Sequence, residues 1–482
     1  MPRDSIQSCN KLLNTQNHTE AAQLSRALGP VSSIAILAGT VIGTGIFLVP
    51  STVAREIGSV EGIFLIWILG ALLSLAGALS YAELGARLPQ SGGEYAFLRK
   101  AYGPIWGFLF GWQQIVIGKT GSIAAIAIAF SLFLSYEIPQ IANSTLGISL
   151  FGQSFYLTGI QLTAIASLAT VSAINILGVG AGGNVQTLLT FLKLIAIIGL
   201  AFIILNSEKG DWSHFIDRMP SDQNSPLLLS SIGGALAAVL WAFDGWNNLT
   251  MVGEEIKNPQ RTIPLVMVLG IIFVAAVYLL TNLAFLYAYP INAIKESQHI
   301  AQDIAKTILG PGAGQFITLA ALISTYASLN GSVLSGARVF YAMSRDGYIT
   351  KKASSLGKKS RTPRMSLLIQ GLLASALIII FGQDKQAFER VLDYALFGTW
   401  GFYSITAFAV IIIRRAHSNH PSPFSTPGYP WVPALFGLVG LLFCLSIALR
   451  RPTETLMGFL LLILGALFYL YTTKFRSRSS QN

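Results

Sequence analysis

Two short stretches place groups that could do chemistry where an apolar chain should have none. In "AGTVIGTGIFLVP", residues 38–50, Gly39, Gly43 and Gly45 fall within seven positions of an otherwise hydrophobic run. In "LWAFDGWNN", residues 240–248, Asp244 and Gly245 interrupt a second such run. A third anomaly is Lys193, alone in "NVQTLLTFLKLIAIIGLAFII". None of these is a nucleophile beside a base, and no metal-ligand cluster or catalytic pair stands out in the apolar segments, so the chemistry they suit is binding. Backbone amides freed at a half-helix N-terminus favour a carboxylate, because the helix dipole adds partial positive charge there. Freed carbonyls favour an ammonium. Together they match the α-carboxylate and α-amino group of a free amino acid. The glycines alone also allow a packing reading, since Gly39 and Gly43 have the spacing that lets helices approach closely.

The elements that position these groups follow from composition. The chain has 482 residues, 53% hydrophobic and 11% charged, with a mean hydropathy of +0.60, against about 25% charged in an average soluble protein. Runs of about 20 apolar residues, enough to cross a bilayer, recur from Val31 onward. The pattern predicts an all-α polytopic membrane protein with twelve spans, near 31–55, 61–86, 104–134, 156–177, 185–205, 227–254, 264–289, 314–341, 365–381, 391–413, 431–449 and 454–472. The first 29 residues are polar and lack the apolar core of a cleaved signal, so both tails are expected in the cytoplasm. The net charge of +11 then follows the positive-inside rule, with the basic loop 345–364 as its largest contribution, and calls for no nucleic-acid partner. Cys9 and Cys444 are too far apart in this topology to pair.

The two interrupted spans, 1 and 6, each open a group of five. An odd number reverses the second group in the membrane, giving an inverted repeat, and paired glycine-interrupted spans in such halves point to a transporter's binding site. Unwound backbone is tolerated at that depth only where it faces protein, water or a ligand. The domain organisation expected is a tail 1–30, a first repeat 31–205, a second repeat 206–414 with its preceding extracellular loop, two further helices within 415–472, and a tail 473–482.

"GTVIGTGIFLVP", "ELGARLPQSGGEYAFLRKAYG", "FDGWNNLTMVGEEIKNPQRTIP" and "PFSTPGYPWVPALFG", in this order between Val31 and Leu449, resemble the amino acid-polyamine-organocation superfamily, and within it bacterial members of the L-type amino acid transporter family. The resemblance implies a five-plus-five inverted-repeat fold of the leucine-transporter type, with spans 1 and 6 unwound at mid-membrane and alternating access. It also implies that the amides of Thr44 and Gly45, with Gly43 beside them, hold the substrate carboxylate. The Val41 carbonyl and those of Trp241, Ala242 and Asp244 would face the amino group, and Trp241 would close over the substrate as a gate. An interface or core role is the other reading of Trp241.

A charge at the depth of Lys193 costs roughly 2.5–3.5 kcal/mol, and the interface lies about 15 Å away while a lysine reaches about 6 Å. It must therefore have a polar partner inside. The resemblance makes this lysine occupy the space where sodium-coupled relatives bind sodium, with Ser328 or Asn330 as candidate partners, and implies sodium-independent transport. Structural satisfaction alone, or proton carriage, are the other roles open to it. Lys119 would line a vestibule or neutralise Asp244. Glu254 and Glu255 are read as structural or gating groups, and Glu94 with Arg99 as members of an inside gate. None of the five histidines (18, 214, 299, 417 and 420) lies in a predicted span.

The expected function is sodium-independent transport of neutral L-amino acids, small ones such as alanine, serine and threonine preferred, by exchange and without a cofactor. A proton-coupled symporter for neutral or cationic amino acids is the alternative, and an amino acid sensor with little flux a second. The loop after span 3 has no cysteine, so no disulfide-linked ancillary subunit is expected.

Overall fold

The computed structural model describes residues 24–150, 153–216, 228–297, 299–383, 385–416, 422–450 and 452–479. Cys9, His18, His417, His420 and most of the expected N-terminal tail lie outside them. The first predicted span is two helices, α1 (Pro30–Val41) and α2 (Gly45–Ile57), bent by 44° at the glycine break. Then come α3 (Val60–Arg87), α4 (Glu94–Tyr102), α5 (Pro104–Gln113), a π-helical turn at Gln114–Gly118, and α6 (Lys119–Glu137), α5 to α6 forming one long span. After α7 (Gln140–Asn143), strands β1 (Thr145–Leu150) and β2 (Gln153–Thr158) pair as an antiparallel hairpin. Helices α8 (Gly159–Leu177) and α9 (Val179–Leu205) complete the first half.

The second half begins with the broken span 6, α10 (Leu228–Ala242) and α11 (Asn248–Met251), the turn between them covering 243–247. It continues with α12 (Pro259–Ala288), the short α13 (Ile291–Glu296) and α14 (Ile300–Leu309), and then α15 (Ala313–Arg345), α16 (Arg364–Phe381) and α17 (Lys385–Ala416). Helices α18 (Trp431–Arg450) and α19 (Pro452–Ser479) follow. Among the described residues nine helices are long and apolar enough to cross a membrane, ten with the bent α1–α2 pair. The broken span 6 and α17 stand at the remaining two of the twelve predicted places, so the chain is a multi-pass membrane protein.

Several boundaries differ from the sequence expectation for identifiable reasons. The fourth span starts at Gly159, where Thr158 and Gln161 form a capping box, because the preceding residues belong to the hairpin. The seventh starts at Pro259 instead of 264, since proline at a first helical position loses nothing. The last helix runs through most of the expected 473–482 tail, to Ser479.

Burial separates the layers. Helix α15 is central and mostly buried, whereas α18 and α19 expose leucine-rich faces to the hydrocarbon. At one end of the bundle, polar contacts tie the elements together. The buried Arg338 guanidinium meets both oxygens of Glu255 at 2.7 and 2.9 Å, and Arg345 reaches Glu254 at 3.0 Å. The amide of Leu28, ahead of α1, donates to the Glu255 carbonyl, and that of Lys257 returns the bond to Leu28. Arg99 and Tyr95 of α4 both hold Asp346. Glu83 of α3 is clamped by Arg414 at 2.6 and 2.7 Å and by the Thr426 amide at 2.8 Å.

Candidate functional site

The two breaks meet at the centre of the bundle. Thr40 Oγ1 lies 2.9 Å from the Gly245 carbonyl oxygen, joining the end of α1 to the turn of span 6. Gly245 has φ +111°, and a Cβ there would sit 3.2 Å from the Thr40 carbonyl carbon, so this position requires glycine both for its backbone conformation and for the close approach. Gly45 makes the second tight contact, a Cβ there falling 3.0 Å from Ala242.

Around the first break the backbone divides its groups by polarity. The Gly43 amide turns back onto the Val41 carbonyl at 2.8 Å. The amides of Thr44 and Gly45 open the first turn of α2, where a helix leaves its first N–H groups without an intrahelical acceptor. Thr44 and Gly43 are half-buried and Gly45 is buried. The carbonyls on the other side are engaged from three helices. Lys193 of α9, with no exposed surface, donates to Gly39 O at 2.7 Å and Ile42 O at 2.5 Å. Ser328 of α15 donates to the same Gly39 carbonyl at 3.1 Å, and Ser324, one turn earlier, to Ile42 at 3.1 Å. Tyr278 of α12 shares its hydroxyl between the carbonyls of Val41, 3.0 Å, and Ala242, 2.8 Å.

This arrangement corrects two expected partnerships. Ser328 meets the Lys193 ammonium only through the carbonyl they share, and Asn330 turns away to Gly182, Gln186 and Asn175, locking α15 to α9 and α8. Lys193 is instead satisfied by main-chain carbonyls, which only the unwinding of span 1 releases. Lys119 and Asp244 form no direct ion pair among the described residues. The Lys119 ammonium is bonded to Asn248 Oδ1, which also accepts from Ser335 at 2.9 Å, while Asp244 Oδ1 accepts from Tyr403 at 2.9 Å. The two charges still lie near enough to interact across this cluster.

The Val41 and Ala242 carbonyls are bridged by the Tyr278 hydroxyl, a partner the sequence did not identify. The Ala242 oxygen keeps a second lone pair for another donor, whereas the Val41 oxygen already accepts from the Gly43 amide and Tyr278 and can take an ammonium only in exchange for one of them. Trp241 is 41% exposed at the end of α10, and its carbonyl accepts the Asp244 amide at 3.1 Å. Tyr278, Ser324, Thr40, Asn248 and Tyr403 were missed; Ser324 was accessible as the residue one helical turn from Ser328, and the others become visible only once helices are placed side by side.

The profile of the amino acid permease family matches residues 28–469, both breaks included. The chain belongs to this family. The permease is thus a membrane transporter, not an enzyme, and its wider kinship is the superfamily named above. It is 32% identical over 467 residues to the serine/threonine exchanger SteT of Bacillus subtilis (strain 168), covering 96% of this chain and 100% of that protein. It is 30% identical to the human b(0,+)-type amino acid transporter 1, covering 93% of this chain and 88% of the relative. Similarity to the human cystine/glutamate transporter is 29% identity, with 94% and 86% coverage.

Proposed function

We propose that this permease exchanges small neutral L-amino acids across the cell membrane without sodium, by alternating access around the two breaks. The observation that carries the reading is the division of groups at span 1: open amides at the start of α2, and a fixed ammonium, Lys193, on the carbonyls of Gly39 and Ile42. Thr44, Gly45 and Gly43 take the substrate carboxylate. Its amino group binds the carbonyls of Val41, Trp241, Ala242 and Asp244, and Trp241 closes over the bound molecule. Lys193 stands where a coupling cation would otherwise hold the break together. The relatives' names, an exchanger of serine and threonine among them, support exchange and small polar substrates.

The end of the bundle carrying α4, the Arg338–Glu255 pair and the loop 345–364 is read as cytoplasmic, with both tails on that side and the hairpin outside. The repeats are assigned as 31–205 and 206–414. Residues 138–158 carry no cysteine, so the permease is read as working without a disulfide-linked subunit.

The test is uptake of radiolabelled alanine, serine and leucine into proteoliposomes, with and without amino acid inside, under imposed sodium and proton gradients. Exchange predicts uptake that requires internal amino acid and ignores the sodium gradient. Accumulation into empty vesicles driven by an inward proton gradient would overturn it in favour of symport.

A further inference from the structure

Beneath the break of span 6 lies a second buried polar group, separate from the main-chain site. Glu94 opens α4 and has no exposed surface. One carboxylate oxygen accepts from Asn247 Nδ2 at 2.6 Å, and Asn247 is the last residue of the five-residue turn that interrupts span 6. The other oxygen, Oε2, is buried without a hydrogen-bond partner. Such a group is costly unless something supplies a donor.

The groups facing Glu94 come from several elements. Helix α6 contributes Lys119, the turn of span 6 contributes Asp244, α3 contributes Tyr81 and α17 contributes Tyr403. Helix α5 (Pro104–Gln113) packs Gly107 against Tyr95 and Arg99 and Trp106 against Tyr102, and it carries no Asp, Glu, Lys, Arg, His or Tyr. On the far side of α4, Arg99 and Asp346 pair with each other and cancel. With Glu94 and Asp244 ionised and Lys119 charged, the cluster holds two negative charges against one positive. It lacks one positive charge, and the unpartnered oxygen marks where that charge can be taken up.

We propose that Glu94 is a reversible proton-binding site under the span 6 break, and that protonation loosens its hold on Asn247 and speeds amino acid exchange. Burial pushes this carboxyl up to about 7, which places the titration at neutral pH. Above that value the carboxylate grips Asn247 through a charge-assisted bond. Below it the neutral acid forms the weaker, uncharged bond, its O–H projects from the formerly unpartnered oxygen, and the cluster is electrically balanced. The lower half of span 6 is then freer to move. This inference rests on the exchange reading above.

The test measures alanine exchange in proteoliposomes at equal internal and external pH, across about three pH units centred on 7. Wild type is expected to exchange roughly five-fold faster at the acid end, with a midpoint near 7. Glu94→Gln should be flat and hold the acid-limb rate, and Glu94→Asp should keep a sloping profile. A flat wild-type profile, or an unchanged profile in Glu94→Gln, overturns the proposal. Asn247→Ala provides a second arm should Glu94→Gln fail to insert: loss of the donor should raise the midpoint, and an unmoved midpoint counts against Glu94. Infrared titration reads the proton without transport. A protonated-carboxyl band with a midpoint near 7 in wild type, missing from Glu94→Gln, supports the site even if exchange itself is refuted, and absence of that band in wild type overturns it.

Discussion

Replacing Lys193 with methionine, which keeps an unbranched chain only one atom shorter and deletes the charge, tests the heart of the main-chain site. The ammonium makes two bonds to carbonyls of the broken helix, at 2.7 and 2.5 Å. Hydrogen bonds to charged groups contribute about 1.5–3 kcal/mol each, so about 3–6 together. Against this stands a burial cost of roughly 2.5–3.5 kcal/mol for the charge. The net stabilisation by the lysine is therefore between about −0.5 and 3.5 kcal/mol. Ser328 and Ser324 still donate to the same two carbonyls, so the variant should insert and purify. Transport is a harsher test. If one of the two bonds must be remade as the break rearranges, losing it slows exchange by about 10- to 150-fold. The assay is counterflow in proteoliposomes matched for inserted protein, with thermal unfolding followed in parallel. Exchange within a factor of about two of wild type, in a protein of unchanged stability, would refute the assignment of Lys193 to the transport cycle. Loss of both exchange and folding would place the lysine in the structure alone.

Three further outcomes follow from particular contacts. Gly245→Ala should lower thermal stability by about 1–3 kcal/mol, because φ +111° and the approach of Thr40 leave no relaxed place for a Cβ; an unfolding midpoint equal to wild type would contradict this. In double-mutant cycles read as exchange rates, Lys119→Met should couple with Asn248→Ala by about 0.5–3 kcal/mol, as contacting residues do, and less strongly with Asp244→Asn, whose charge acts on Lys119 across the cluster without a direct bond. Arg338→Ala, which leaves Glu255 buried without its guanidinium, should cost about 3–5 kcal/mol, whereas Arg345→Ala, on the more exposed Glu254 pair, should cost under about 1 kcal/mol; equal losses by thermal unfolding would argue against the burial difference.

The breaks themselves were legible because they are violations. Glycines clustered in an apolar run, an Asp-Gly step in another and one lysine at mid-depth each defy the bilayer's demand for satisfied backbone and neutral side chains, and the structure brings all three to one place. Their partners were less legible, since a partner is a fact about which helix faces which. Lys119 is placed by its own span, but its choice of Asn248 over Asp244 depends on the turn geometry of span 6 and on Ser335 arriving from α15. Tyr278 looks like any aromatic in an apolar helix until its hydroxyl is found between two carbonyls. The hairpin was hidden in the same way: its apolar residues merge in hydropathy with the start of α8, and only the Thr158–Gln161 cap separates them.

The ammonium at the first break also has an electrical consequence. It is covalently part of α9, so unlike a dissolved ion it can neither leave with the substrate nor be replenished from either side. When one zwitterionic amino acid is traded for another, no net charge crosses the bilayer, and the transmembrane potential, worth about 2.3 kcal/mol per elementary charge per 100 mV, performs no work on the cycle. Such a permease would equalise the concentration ratios of its substrates regardless of membrane voltage, redistributing amino acids already accumulated by other means.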